Sequence, residues 1–209
     1  MFLRRFRASL EPLRSQPDYG ENADGNPFAR NASVNGESKG CLMAVCNDCD
    51  ALIRECGGKI EAKNRILDED YTENGISNHA HVTIQYGVCA DTEKVREWCE
   101  KNVHPFTFKI TGADVFKNED SWVLVMRCND ESLKEVHKNF CRDIPHVDGE
   151  FPDYAPHITI CYMKPETPYD DVVKLCNEKL SGKEVSVDKL EYSDENDNVD
   201  RIVLKEENV

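Results

Sequence analysis

Two short stretches carry the residues that could do chemistry. "HVTIQYG" begins at His81 and "HITICYM" at His157, and both run His, β-branched residue, Thr, Ile, any residue, Tyr. Side chains alternate faces along a strand, so His81, Thr83 and Gln85 are expected on one face and Val82, Ile84 and Tyr86 in the core. By the same count, His157, Thr159 and Cys161 share a face opposite Ile158, Ile160 and Tyr162. An imidazole with a pKa near 6.5 holds either protonation state at neutral pH, so two histidines across a cleft can act as general base and general acid. Threonine hydroxyls beside them can donate to the non-bridging oxygens of one phosphate. That set suits phosphodiester cleavage without metal: one histidine deprotonates a ribose 2′-hydroxyl or water, and the other protonates the leaving oxygen. A single H-x-T in a strand is an ordinary structural pattern, but two copies with matching flanks point to function. His79, His104, His137 and His146 have no such twin and are expected at the surface or in loops. His79 would share the face of His81 if the strand began early, yet no carboxylate or third ligand stands at matching spacing, so no metal is expected.

The elements around the two motifs repeat as well. The stretch "CLMAVC" reads as a strand and "DCDALIRECGG" as a helix ended by Gly57 and Gly58, with residues 59–78 as a polar connection to the first histidine strand. "SWVLVMRC" and the helix "ESLKEVHKNFC" precede the second motif in the same way. A helix follows each motif, "DTEKVREWCEKN" with Val95, Trp98 and Cys99 on one face and "PYDDVVKLCNEKL" with Val172, Leu175 and Cys176 spaced likewise. The strand regions "FTFKITGADVF" and "KEVSVDKLEYS" come next, and "DRIVLKE" is a terminal strand. Such a repeat predicts an α+β, bilobal fold: two pseudo-symmetric antiparallel sheets with outer helices and a central cleft. Residues 1–39, rich in Arg, Asn, Ser, Gly and Pro without periodicity, are expected to be a flexible tail, and residues 40–209 the bilobal domain.

Composition narrows the partners. Forty acidic against 26 basic residues give a net charge of −14, which repels a long polyanion at most faces while allowing a small anionic ligand in a local pocket. No apolar run is long enough to span a membrane, and no secretory segment follows the arginines of "MFLRRFRASLEPLRS", so the cytoplasm is the expected location; an organelle transit peptide is the other reading of that opening. The ten cysteines sit singly in apolar patterns, which favours reduced, buried thiols over a disulfide scaffold. The one C-x-x-C, Cys46 to Cys49, has no second pair at zinc-finger spacing.

The paired H-V-T at 81–83 and H-I-T at 157–159 resemble the signature of the two-histidine (2H) phosphoesterase superfamily. The resemblance covers about residues 41–206 and implies a bilobal fold, metal-independent catalysis without a cofactor, catalytic roles for His81 and His157, and phosphate contacts from Thr83 and Thr159. Within the superfamily, "LDEDYTENGISNHAHVTIQYGV" and "YAPHITICYMKP" are most similar to the phage enzymes that cut cyclic di- and trinucleotide signals of host antiviral (CBASS) defence. Ala80 stands where that pattern would put proline. The expected substrate is a small cyclic oligonucleotide, with an RNA-end 2′,3′-cyclic phosphodiesterase or a non-catalytic nucleotide-binding module as alternatives. Lys164, just past the second strand, is a further candidate for phosphate contact. Phe116, Trp122 and Tyr192 could stack on a base if they faced the cleft, but packing is the commoner use of such residues, and they stay outside the site.

Overall fold

The computed structural model describes residues 32–34, 37–67, 72–147 and 153–206. Its strands are β1 (Ala32–Val34), β2 (Glu37–Val45), β3 (Thr72–Glu73), β4 (Ile76–Ser77), β5 (His81–Val88), β6 (Phe106–Lys109), β7 (Gly112–Lys117), β8 (Trp122–Arg127), β9 (His157–Met163), β10 (Glu184–Val187), β11 (Lys189–Ser193) and β12 (Val199–Val203). Among the described residues four α-helices accompany them: α1 (Asp50–Gly57), α2 (Thr92–Asn102), α3 (Glu131–Asp143) and α4 (Asp170–Leu180). The architecture is α+β with antiparallel pairing, as the repeat predicts, and it matches the bilobal fold expected of the resemblance.

The repeat is built by exchange. In the first half the order is β12-β11-β2-β5, and in the second β9-β8-β7. Strand β7 follows the helix of the first half yet pairs with β8 of the second, while β11 follows the helix of the second half yet pairs with β2 of the first. The two linking segments also meet, as β6 and β10 form a separate antiparallel pair. The halves are not wholly separate sheets: β5 and β9 touch at one pair, Val82 opposite Ile158, and then diverge. Beyond that pair the carbonyls of Thr83 and Ile84 lose strand partners; the Tyr154 hydroxyl donates to the first at 2.9 Å and His137 Nδ1 to the second at 2.8 Å. On the other flank, the small hairpin of β3 and β4 lies against β9, with Ile76 opposite Cys161.

One core lies on one face of the strands. Val95, Trp98 and Cys99 of α2, Leu133 and Phe140 of α3, and Cys176 and Leu180 of α4 pack there with Ala44, Val82, Met126 and Ile158. Apolar residues at helical spacing bury one stripe of each helix, and N-cap carboxylates fix two of the starts: Asp91 accepts from the Lys94 amide at 2.8 Å and Asp130 from that of Ser132 at 2.9 Å. Because the helices cover this face, the opposite face of β2, β5, β9 and β8 is left to carry chemistry.

Pairing starts at Ala32 in β1, inside the segment expected to be a tail, so the folded part reaches further toward the N-terminus than Cys41. Residues 1–31 lie outside the described residues. All ten cysteines are free thiols, buried except Cys89 and Cys141. No helix among the described residues is long and apolar enough to cross a membrane.

Candidate active site

The antiparallel pair of Val82 and Ile158 sets the site. Extended by one residue each way, it puts His81 beside Thr159 and Thr83 beside His157. The four side chains therefore form a square on the face away from the helices, each histidine next to the other strand's threonine. The two histidines are diagonal neighbours across this pair, close enough for His81 to bear on the charge of His157.

Both imidazoles are held alike. Nδ1 of His81 lies 3.1 Å from the carbonyl of His79, and Nδ1 of His157 lies 3.2 Å from that of Ala155. A carbonyl only accepts, so each ring carries a proton on Nδ1 and Nε2 is the working nitrogen. The strand entries match as well: the Ala80 carbonyl accepts from Cys46 N at 2.8 Å, and that of Pro156 from Cys128 N at 2.9 Å. Ala80 differs from Pro156 for a local reason, since its amide donates to Asp50 Oδ1 at 3.0 Å, a bond that proline cannot make.

Strict alternation fails halfway along both strands, in the same place. In β5, Thr83 pairs with Met43 and the next pair is Gln85 with Leu42, so Ile84 is an extra residue. In β9, Thr159 pairs with Val125 and the next pair is Cys161 with Leu124, which makes Ile160 the extra one. Each is a β-bulge, and it reverses the faces beyond it. Cys161 thus joins the core, contrary to the alternation expected from sequence, and Tyr162 turns to the histidine face, where it packs with Phe116, Val123 and Val125. Tyr86 and Gln85 are corrected likewise: Tyr86 pairs with Cys41 on the histidine face, and Gln85 pairs with the buried Leu42. A second irregularity follows in β5 at Gly87, whose φ of +75° suits glycine and whose missing Cβ leaves room for the Val147 carbonyl.

Two residues outside the predicted set adjoin His157, and a third holds one of them. Arg127 is its direct neighbour on β8. Nε and Nη2 of Arg127 donate to Asp114 Oδ2 at 3.3 and 2.8 Å, and the guanidinium lies 4.4 Å over the ring of Phe116. Phe116 in turn meets His157 edge to face at 4.9 Å. Phe116, which the sequence leaves outside the site, thus adjoins it through His157, and no spacing along the chain points to Arg127 or Asp114, because their partners come from neighbouring strands. Burial, with the nearby cation of Arg127 and with His81, pushes His157 down to about 3, so this imidazole is neutral at physiological pH.

The first half is not charged in the same way. Val45 occupies beside His81 the position that Arg127 holds beside His157. Glu191, paired with Met43 as Asp114 is paired with Val125, is buried, lies 3.9 Å from Nε2 of His79 and accepts from Arg201 Nε at 3.3 Å. Each half thus pairs a carboxylate with an arginine, but in the second half the guanidinium stands on the strand position directly beside the histidine.

The remaining candidates lie elsewhere. Lys164 sits seven residues along from His157, about 20 Å of extended chain, and its Nζ donates to the Lys63 carbonyl at 2.7 Å; the structure does not bring it to the square. Trp122 lies under Lys117, with Nζ 4.3 Å from the ring centroid, and meets Tyr169 edge to face. Tyr192 is a core residue whose hydroxyl donates to the Ala90 carbonyl at 2.8 Å. No group of three or more metal-ligating side chains gathers among the described residues.

Residues 77–198, more than half the chain, match the model of the 2'-5' RNA ligase superfamily. The chain belongs to that superfamily. Its fold is similar to that of Usb1 from Kluyveromyces marxianus, at 12% identity and a TM-score of 0.50, over 79% of this chain and 97% of that one. LigT of E. coli, solved with 3'-AMP, is similar at 15% identity and a TM-score of 0.43, over 80% of this chain and 95% of that one. A search of the curated proteins found no matching sequence. Membership in the superfamily makes the chain a phosphoesterase of the two-histidine type, an enzyme acting on phosphodiester bonds.

Proposed function

We propose that this superfamily member cleaves the 3′,5′ bonds of small cyclic oligonucleotide second messengers by attack of the adjacent 2′-hydroxyl, and so counters host antiviral (CBASS) signalling. The observation that carries the chemistry is the square of His81, Thr83, His157 and Thr159 around the pair Val82–Ile158. His157, kept neutral by burial, takes the 2′-hydroxyl proton at Nε2. The 2′ oxygen bonds to phosphorus, the bond from phosphorus to the 5′ oxygen breaks, and His81 delivers a proton to that leaving oxygen. The product is an opened chain ending in a 2′,3′-cyclic phosphate, and no water is consumed. Thr83 and Thr159 donate to the non-bridging oxygens, where charge develops. The choice of substrate rests on the motif resemblance and on the acidity of the chain, which disfavours long polyanions.

The test is incubation with cyclic di- and trinucleotides, RNA bearing 2′,3′-cyclic ends, and long RNA, all in chelator, with products separated chromatographically. Turnover of a cyclic oligonucleotide is expected to be unchanged by chelator, because imidazoles and hydroxyls do the work. Dependence on added divalent metal would overturn the mechanism. Preference for an RNA end or long RNA over every cyclic substrate would overturn the substrate class.

A further inference from the structure

Arg127 has no counterpart in the other half of the site. Its pairing opposite His157 places it on the catalytic face, while the equivalent position beside His81 holds Val45. Its side chain is 24% exposed. Nε and Nη2 are both spent on one oxygen of Asp114, and Nη1 has no acceptor among the described residues. The plane is also fixed from below by Phe116, at 4.4 Å, and Phe116 braces His157. A guanidinium oriented on two sides, with one nitrogen left over, beside an imidazole that must stay neutral, is arranged for an anion that arrives with the substrate. A half-exposed ion pair with Asp114 would by itself stabilise the fold little and would need neither the stacking nor this position.

We propose that Arg127 is a substrate-binding residue: Nη1 contacts a non-bridging oxygen of the phosphodiester engaged at His157, with Asp114 and Phe116 as its positioning residues. This deepens the phosphodiesterase reading and rests on it. The contact gives a nearly two-fold site a single polarity. The phosphate is drawn to the second half, so the nucleotide binds in one direction and His157, not His81, meets the attacking hydroxyl.

The test uses thymidylyl-(3′→5′)-thymidine, which has one phosphodiester and no 2′-hydroxyl, and its uncharged methylphosphonate analogue, with binding followed by calorimetry. The wild-type protein is expected to prefer the phosphodiester, and Arg127→Met to weaken its binding by about 10- to 100-fold while leaving the methylphosphonate within about twofold. Arg127→Lys, which keeps the charge and packs more conservatively, should recover part of the preference. Arg142→Met, on the exposed side of α3, should leave both ligands unaffected. In the wild-type protein the Arg127 guanidinium resonances are expected to move with the phosphodiester and not with the methylphosphonate, a readout independent of any variant. Equal preference in wild type and Arg127→Met, or unmoved guanidinium resonances at saturation, would overturn the assignment. Cleavage of the deoxy dinucleotide would instead contradict the 2′-hydroxyl route while leaving the arginine contact standing, so the two failures are distinguishable.

Discussion

His81→Ala and His157→Ala are each expected to lower turnover by about two to four orders of magnitude, the usual worth of a positioned acid or base. The double variant should be little worse than either single one, because proton removal and proton delivery serve the same transition state and the loss of one strands the other. Folding should survive in all three. Both rings lie on the face of the strands away from the main core, and each accepts an alanine without a change of strand register. Steady-state kinetics with thermal melts as a control will check this. Folded variants with full turnover would make the two imidazoles structural and remove the basis of the mechanism.

The threonines give the second large effect. Thr83→Val and Thr159→Val should each reduce kcat by about 10²- to 10³-fold, the cost of removing one donor aimed at developing charge. Valine keeps the shape and strand preference of threonine, and the Tyr154 hydroxyl reaches Thr83 through its backbone carbonyl rather than its side chain. KM should therefore move less than kcat. If the two hydroxyls merely bound the ground state, KM would rise and kcat would hold, and that pattern would assign them to uniform binding.

What the sequence carried is local and periodic. The twin motifs, the helix stripe of Val95, Trp98 and Cys99, and the recurrence of strand and helix around each histidine were legible because each needs only a spacing along the chain. The outward tyrosines were not. Tyr86 and Tyr162 follow a bulge at Ile84 and Ile160, and a bulge adds one residue to one strand without altering the residue types that mark it. Arg127 and Asp114 were hidden for a different reason. Their relation to His157 and Phe116 runs across three strands, and only the register of β7, β8 and β9 reveals it. Lys164 illustrates the converse error: nearness in sequence to the second motif placed it past the end of β9, far from the square. The exchange of β7 and β11 between halves also lay beyond periodicity, since either pairing satisfies the same alternation.

The measurement that bears most directly on the twin-histidine mechanism is the pH dependence of kcat/KM, which reports the ionisations of the unliganded enzyme. One imidazole must be neutral and the other protonated, so the profile should be bell-shaped, with limbs belonging to the coupled pair. His157 is held down to about 3 by burial, and a base is active above its own pKa; the acid limb should therefore fall well below the ordinary histidine value of about 6.5. In His157→Ala that acid limb should vanish. An acid limb at or above the ordinary histidine range, or one that persists unchanged in His157→Ala, would contradict the assignment of His157 as the base.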